Sequence, residues 1–124
     1  MSGRYLKKIE ILERELEFIQ CHGITDEVTE RAALYALQIC IESEMDIIAM
    51  KVKDSGLVVE DDCTNIEELI HAKVISFEEG ELLKEFNGMR NAIVHKYNKL
   101  DREMIKDALD RDAEFAETSV KIAE

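Results

Sequence analysis

None of the 124 residues is proline, and only five are glycine. A chain without proline has nothing that forbids a helix interior, and its apolar residues recur at three- and four-residue steps. Tyr5, Ile9, Leu12, Leu16 and Ile19 step by 4, 3, 4 and 3, which is one stripe along a helix. No stretch alternates apolar and polar residues as a half-buried strand does. The sequence therefore predicts an all-α fold: an antiparallel bundle of four to five helices with short connections. It reads as a single domain over residues 1–124, and a chain of this length buries on the order of two-thirds of its unfolded surface.

The spacing predicts a first helix over 3–21, ended by His22-Gly23 with the glycine as a left-handed cap. Thr25 or Asp26 caps a long second helix that reaches Lys53 and stops at Ser55-Gly56. From Leu34 to Met50 this helix is apolar on more than one side. It therefore belongs between neighbours, with Cys40 as a small core residue. Within it Gln38, Glu42 and Asp46 fall four residues apart and form a polar line. That line is either a solvated edge or the wall of a wet cleft, and carboxylates on so apolar a helix tip the reading toward the cleft. Leu57 to Cys63 reads as a connector, with Leu57, Val58 and Val59 tucked against the bundle. Thr64 with Glu67, and Ser76 with Glu79, are capping boxes that open a third and a fourth helix. His71 on the third reads as a surface residue. The fourth helix carries Leu82, Phe86, Met89 and Ile93 on one stripe and Asn87, Asn91, His95 and Asn98 on another. Gly88 is a place where a backbone or a substrate can come close. Asp101 caps a last helix.

The formal net charge is −12, which argues against a surface that binds nucleic acid everywhere. The charge is uneven. From Lys84 to Arg102 five positive residues stand against two negative ones, whereas the remainder holds eleven positive and 26 negative. The basic segment is either an anion-binding surface or a set of cations complementing a helix dipole. Cys21, Cys40 and Cys63 make no Cys-x-x-Cys pair and no even framework, and no secretory leader is recognisable, so a reducing cytoplasm is expected. No apolar run approaches the roughly 20 residues of a membrane span.

Inside the basic segment lies Arg90-Asn91-Ala92-Ile93-Val94-His95-Lys96-Tyr97. No His-Glu-x-x-His or Cys/His cluster offers a metal site, and no glycine-rich loop offers a phosphate cradle, so neither a metal nor a cofactor is expected. Arginine grips phosphate through a planar fork of donors, and histidine moves protons near neutral pH. Cutting RNA needs a base for the ribose 2′-hydroxyl, an acid for the leaving oxygen and a cation for the phosphorane-like transition state. Arg90 and His95 are the candidate catalytic residues, with Asn91, Glu42 and Asp46 in support. The spacing raises a difficulty. Five residues along a helix turn through about 500°, so the two side chains leave it about 140° apart. Either Arg90 reaches round, the helix is distorted, or a two-fold homodimer brings two motifs to one cleft. The dimer is preferred, because one histidine cannot easily be base and acid in the same step. The plain alternative is a salt-bridged arginine and a histidine with no part in catalysis.

Read as Arg, four residues, His, one residue, Tyr, the stretch resembles the signature of the HepT-like toxins of the HEPN group. The likeness extends to Glu30-Arg31-Ala32, Gln38, Ile41-Glu42 and Asp46-Ile47 in the second helix, to Gly56-Leu57, and to Leu100-Asp101. A polar residue that relatives often carry near Ala49 and Met50 is absent. The resemblance implies a HEPN-like helical bundle that dimerises and acts as a metal-independent endoribonuclease toxin on tRNA or mRNA, with Arg90 and His95 as its catalytic pair. It also implies a partner, a minimal nucleotidyltransferase antitoxin that binds the toxin and AMPylates the motif tyrosine, here Tyr97. A nucleotide there would occupy and repel the phosphate site. The second reading is a non-catalytic helical subunit that docks a nucleotidyltransferase.

Overall fold

The computed structural model describes residues 1–95 and 102–124, without the side chains of Arg102 and Met104. Six helices make up this part: α1 (Gly3–His22), α2 (Glu27–Asp54), α3 (Asp62–His71), α4 (Phe77–His95), α5 (Arg102–Asp110) and α6 (Asp112–Ala123). No strand occurs among the described residues. The all-α expectation holds, with one helix more than the four or five predicted.

α2 is the axis of the bundle, and α1, α3, α4 and α6 all pack on it. That is why its middle is apolar on several sides: Leu34, Leu37, Cys40, Ile41, Ile47 and Ile48 are all buried. The stripe predicted for α1 faces it, with Tyr5, Ile9, Leu12, Leu16 and Ile19 buried. Each such side chain contributes about 1.5–3 kcal/mol on leaving water. Cys40 is a core residue as expected. Burial above all pushes its thiol well above the usual range, so it stays protonated and inert.

The helix starts show which side chains won the orphan backbone donors. Asp26 accepts from the Thr29 N–H at 2.8 Å while Thr29 Oγ1 accepts from the Asp26 N–H at 3.0 Å, a reciprocal box that fixes the start of α2. The Ser76–Glu79 box forms as predicted, with N···O distances of 2.8 and 3.1 Å. The Thr64–Glu67 box does not. Asp61 accepts from the Thr64 N–H instead and starts α3 three residues earlier, while the Glu67 carboxylate is paired with Lys84 on α4. An ionised acceptor outcompetes a hydroxyl for a helix N-terminus.

Other expectations are corrected in the same way. Gly23 ends α1 at a positive φ of 65°, as a glycine cap requires, but its ψ of −167° carries the chain out of the left-handed helical well; its N–H donates to the Ile19 carbonyl at 2.9 Å. Val58 and Val59 are exposed, and only Leu57 packs on the core. The predicted last helix is two helices, broken at Arg111 (φ −109°, ψ 13°). There the Arg111 guanidinium binds Glu85 on α4 and Asp107 on α5, and lies 5.7 Å above the Phe86 ring. The cap assigned to Asp101 lies outside the described residues. Within the chain, close approach occurs at Gly80, and the face of Gly88 is open. A methyl group at Gly80 would stand 2.3 Å from Ile70 Cδ1, whereas nothing lies within 4 Å of one at Gly88. The missing side chain at residue 80 is what lets α3 and α4 meet.

Candidate active-site groove

The motif begins in the last turns of α4. Leu82, Phe86, Met89 and Ile93 bury one side of that helix, which turns Arg90 toward α2. Its guanidinium donates through Nε and Nη2 to Oε1 of Glu42, both at 3.4 Å, and through Nη1 to Oδ1 of Asn91 at 3.0 Å. Gln38, one turn earlier on α2, donates to the same Glu42 oxygen at 3.1 Å. Asp46 completes the polar line and accepts from Lys8 Nζ on α1 at 2.7 Å. Glu42, Met45, Asp46, Asp62 and Arg90 line one open groove of about 330 Å³. Glu42 and Asp46 of the line on α2 are therefore in the wall of an open groove, with Gln38 bonded to Glu42 beside it, and Asp62 and Lys8 belong to its surroundings although sequence spacing did not single them out. Both come from helices whose register against α2 is set by packing alone.

The structure brings together Arg90, Asn91, Glu42 and Asp46, four of the six predicted residues. His95 is exposed at the end of α4. α4 is regular α-helix from Phe77 to His95, so distortion does not bring the imidazole round to Arg90, and the divergence of about 140° stands. Tyr97 lies outside the described residues. The polar line on α4 runs from core to surface, since Asn87 is buried while Asn91 and His95 are exposed, and Asn98 lies outside the described residues.

The electrostatics differ from a simple basic patch. Of the five cations between Lys84 and Arg102, Lys84 is held by Glu67 and Glu81 and Arg90 by Glu42. Lys96, Lys99 and the Arg102 side chain lie outside the described residues. Arg90 shares its groove with three carboxylates, so an anion reaching it has to compete for the guanidinium. A second recess of about 370 Å³, between α4 and α6, is lined by Glu78, Glu79, Glu114 and Glu117 with Lys121; four carboxylates against one ammonium make it a poor phosphate site. No group of three or more His, Cys, Asp or Glu suited to a metal ion occurs among the described residues. No described helix is long and apolar enough to cross a membrane.

Comparison with known proteins returns the same likeness. The model of the ribonuclease HepT-like family matches residues 4–121. A candidate RNase of Archaeoglobus fulgidus is 49% identical over 119 residues, covering 96% of this chain and 90% of that protein. Among solved structures, the tri-AMPylated HEPN toxin of Shewanella oneidensis, in complex with an MNT antitoxin, superposes with a TM-score of 0.88. It is 21% identical, over 98% of this chain and 97% of that one. A toxin–antitoxin structure with AMP-PNP gives a TM-score of 0.89 at 20% identity over the full length of both chains. At these identities the likeness to solved structures is one of fold.

Proposed function

Because the chain belongs to the HepT-like ribonuclease family, we propose that it is an endoribonuclease toxin that works as a homodimer in the cytoplasm, with Arg90 and His95 as its catalytic residues. The observation that carries this reading is that Arg90 opens on a solvent-filled groove while His95, one and a half turns on, is exposed rather than locked into the bundle. Two-fold symmetry supplies what one chain lacks, since a second motif places another imidazole across the cleft.

In this mechanism His95 of one subunit takes the ribose 2′-hydroxyl proton, and the 2′-oxygen attacks the adjacent phosphorus. The bond to the 5′-oxygen of the next nucleotide breaks, and the second imidazole, entering as imidazolium, gives that oxygen its proton. The products are a 2′,3′-cyclic phosphate and a free 5′-hydroxyl. Arg90 stabilises the extra negative charge on phosphorus, where its fork is worth more than in bulk water. The proton traffic and the charge are both met by side chains, so cleavage of tRNA or mRNA is expected to persist in EDTA. His95→Ala should lower it by about 10²- to 10⁴-fold, the usual worth of a general acid or base. Equal inertness of wild type and mutant ends the enzyme reading.

The partner in this reading is a minimal nucleotidyltransferase antitoxin that adds AMP to Tyr97. It is supported by the Shewanella oneidensis toxin, which is AMPylated and bound to such an antitoxin. Mass spectrometry of the protein co-expressed with its nucleotidyltransferase should find one or more AMP units on Tyr97; an unmodified tyrosine removes this part. The engagement of Arg90 by Glu42 and Asn91 favours a second reading, a non-catalytic subunit that docks the nucleotidyltransferase. There Arg90→Ala would break the complex, with no nuclease activity to lose.

A further inference from the structure

One side chain beside the groove, Gln38, is not in its lining and reaches Arg90 only through Glu42. The Gln38 amide donates to Glu42 Oε1 at 3.1 Å, and the two Arg90 contacts to that atom are longer, at 3.4 Å. A carboxylate oxygen has two lone-pair directions, so three donors on one oxygen share it. Arginine prefers a two-oxygen, fork-to-fork pairing with a carboxylate at about 2.7–2.9 Å, and the contact here is far from that. The pair is also half open to water, with side-chain exposures of 30% for Arg90 and 39% for Glu42.

We propose that Gln38 is a positioning residue that holds the Glu42 carboxylate back from Arg90, keeping the pair loose enough for a substrate phosphate to take the guanidinium. The inference deepens the reading of Arg90 as the phosphate-binding group and rests on it. Glu42 keeps the cation compensated while the groove is empty. Gln38 occupies part of the acceptor that would otherwise close on both guanidinium edges. When phosphate arrives, Arg90 exchanges two weak contacts for two strong ones, and Glu42 remains satisfied by the amide. Gln38 needs no contact with RNA for this role.

The test is binding of a 2′-O-methyl oligonucleotide, which lacks the attacking hydroxyl and cannot be cut. Gln38→Ala, and Gln38→Met as the variant that keeps volume, should each weaken binding by about three- to tenfold, the scale of coupling between contacting groups. Glu42→Gln should strengthen it, since the competitor loses its charge. In the Glu42→Gln background Gln38→Ala should change nothing. In the cleavage assay the Gln38 variants should raise KM and leave kcat in place, because only ground-state access to Arg90 changes. The proposal is overturned if Gln38→Met binds as wild type does, or if the loss persists in the Glu42→Gln background. Binding that ignores Arg90→Ala overturns it as well. A wild type that binds through Arg90 yet never cleaves natural RNA removes the ribonuclease reading and leaves this one standing.

Discussion

Glu42 and Glu44 stand two residues apart on α2 and meet opposite environments. Two residues turn a helix through about 200°, so one side chain opens on the groove and the other goes inside. Glu42 is half-exposed and accepts from Gln38 and Arg90. Glu44 is 0% exposed, and neither of its oxygens has a hydrogen-bond partner among the described residues. Burial alone pushes its carboxyl well above the ordinary value of 4.5, and it stays protonated where Glu42 can pair with a cation. The same residue type thus faces the groove at one position and weighs on the fold at the other. The difference lies in the number of donors that reach it.

Substitutions at the two positions test that contrast. Glu44→Leu should have the largest effect, stabilising the protein at neutral pH by about 1–3 kcal/mol, the usual cost of an uncompensated buried polar group. The sign follows from linkage. A carboxyl with a raised folded pKa binds a proton in the folded state that the unfolded chain has given up, so wild-type stability falls as pH rises above about 4.5. Denaturant titrations across that range should show the decline in wild type and a flatter profile in Glu44→Leu. A variant no more stable than wild type would mean that Glu44 has a partner. Glu44→Gln should flatten the profile as well, with a smaller gain, because an amide without a partner stays buried. Glu42→Ala should do least, changing stability by under about 1 kcal/mol, the range of an exposed ion pair. A larger loss by thermal melting would make Glu42 a structural residue and erase the contrast.

Glu42 was legible in the sequence because Gln38, Glu42 and Asp46 repeat at one helical step, and a repeat marks a face. Glu44 was not. Between Ser43 and Met45 it reads as any charge on a helix, and whether a position is sealed depends on which neighbours close over it. The all-α fold, the α1 stripe, the two long helices and the Ser76–Glu79 box depend on local spacing and were readable for that reason. The start of α3 was missed although its cap is local, since Asp61, three residues before Thr64, takes the helix N-terminus, while Glu67 is paired with Lys84, seventeen residues ahead. The break at Arg111 carries no local mark such as a proline or glycine, and the carboxylate that pairs with its guanidinium, Glu85, is on another helix. Arg90 and His95 were singled out by motif, and Glu42 and Asp46 by their repeat; that Asp62 shares the groove of Arg90 belongs to tertiary register.

The seam between α3 and α4 also constrains how this protein can change over generations. Residue 80 has no room for a single added carbon while Ile70 keeps its length. A lineage that enlarges residue 80 first meets a clash of about 1–3 kcal/mol, whereas one that first shortens Ile70 only opens a small void. The two substitutions are tolerable in one order and costly in the other, so history at these positions runs through a one-way gate.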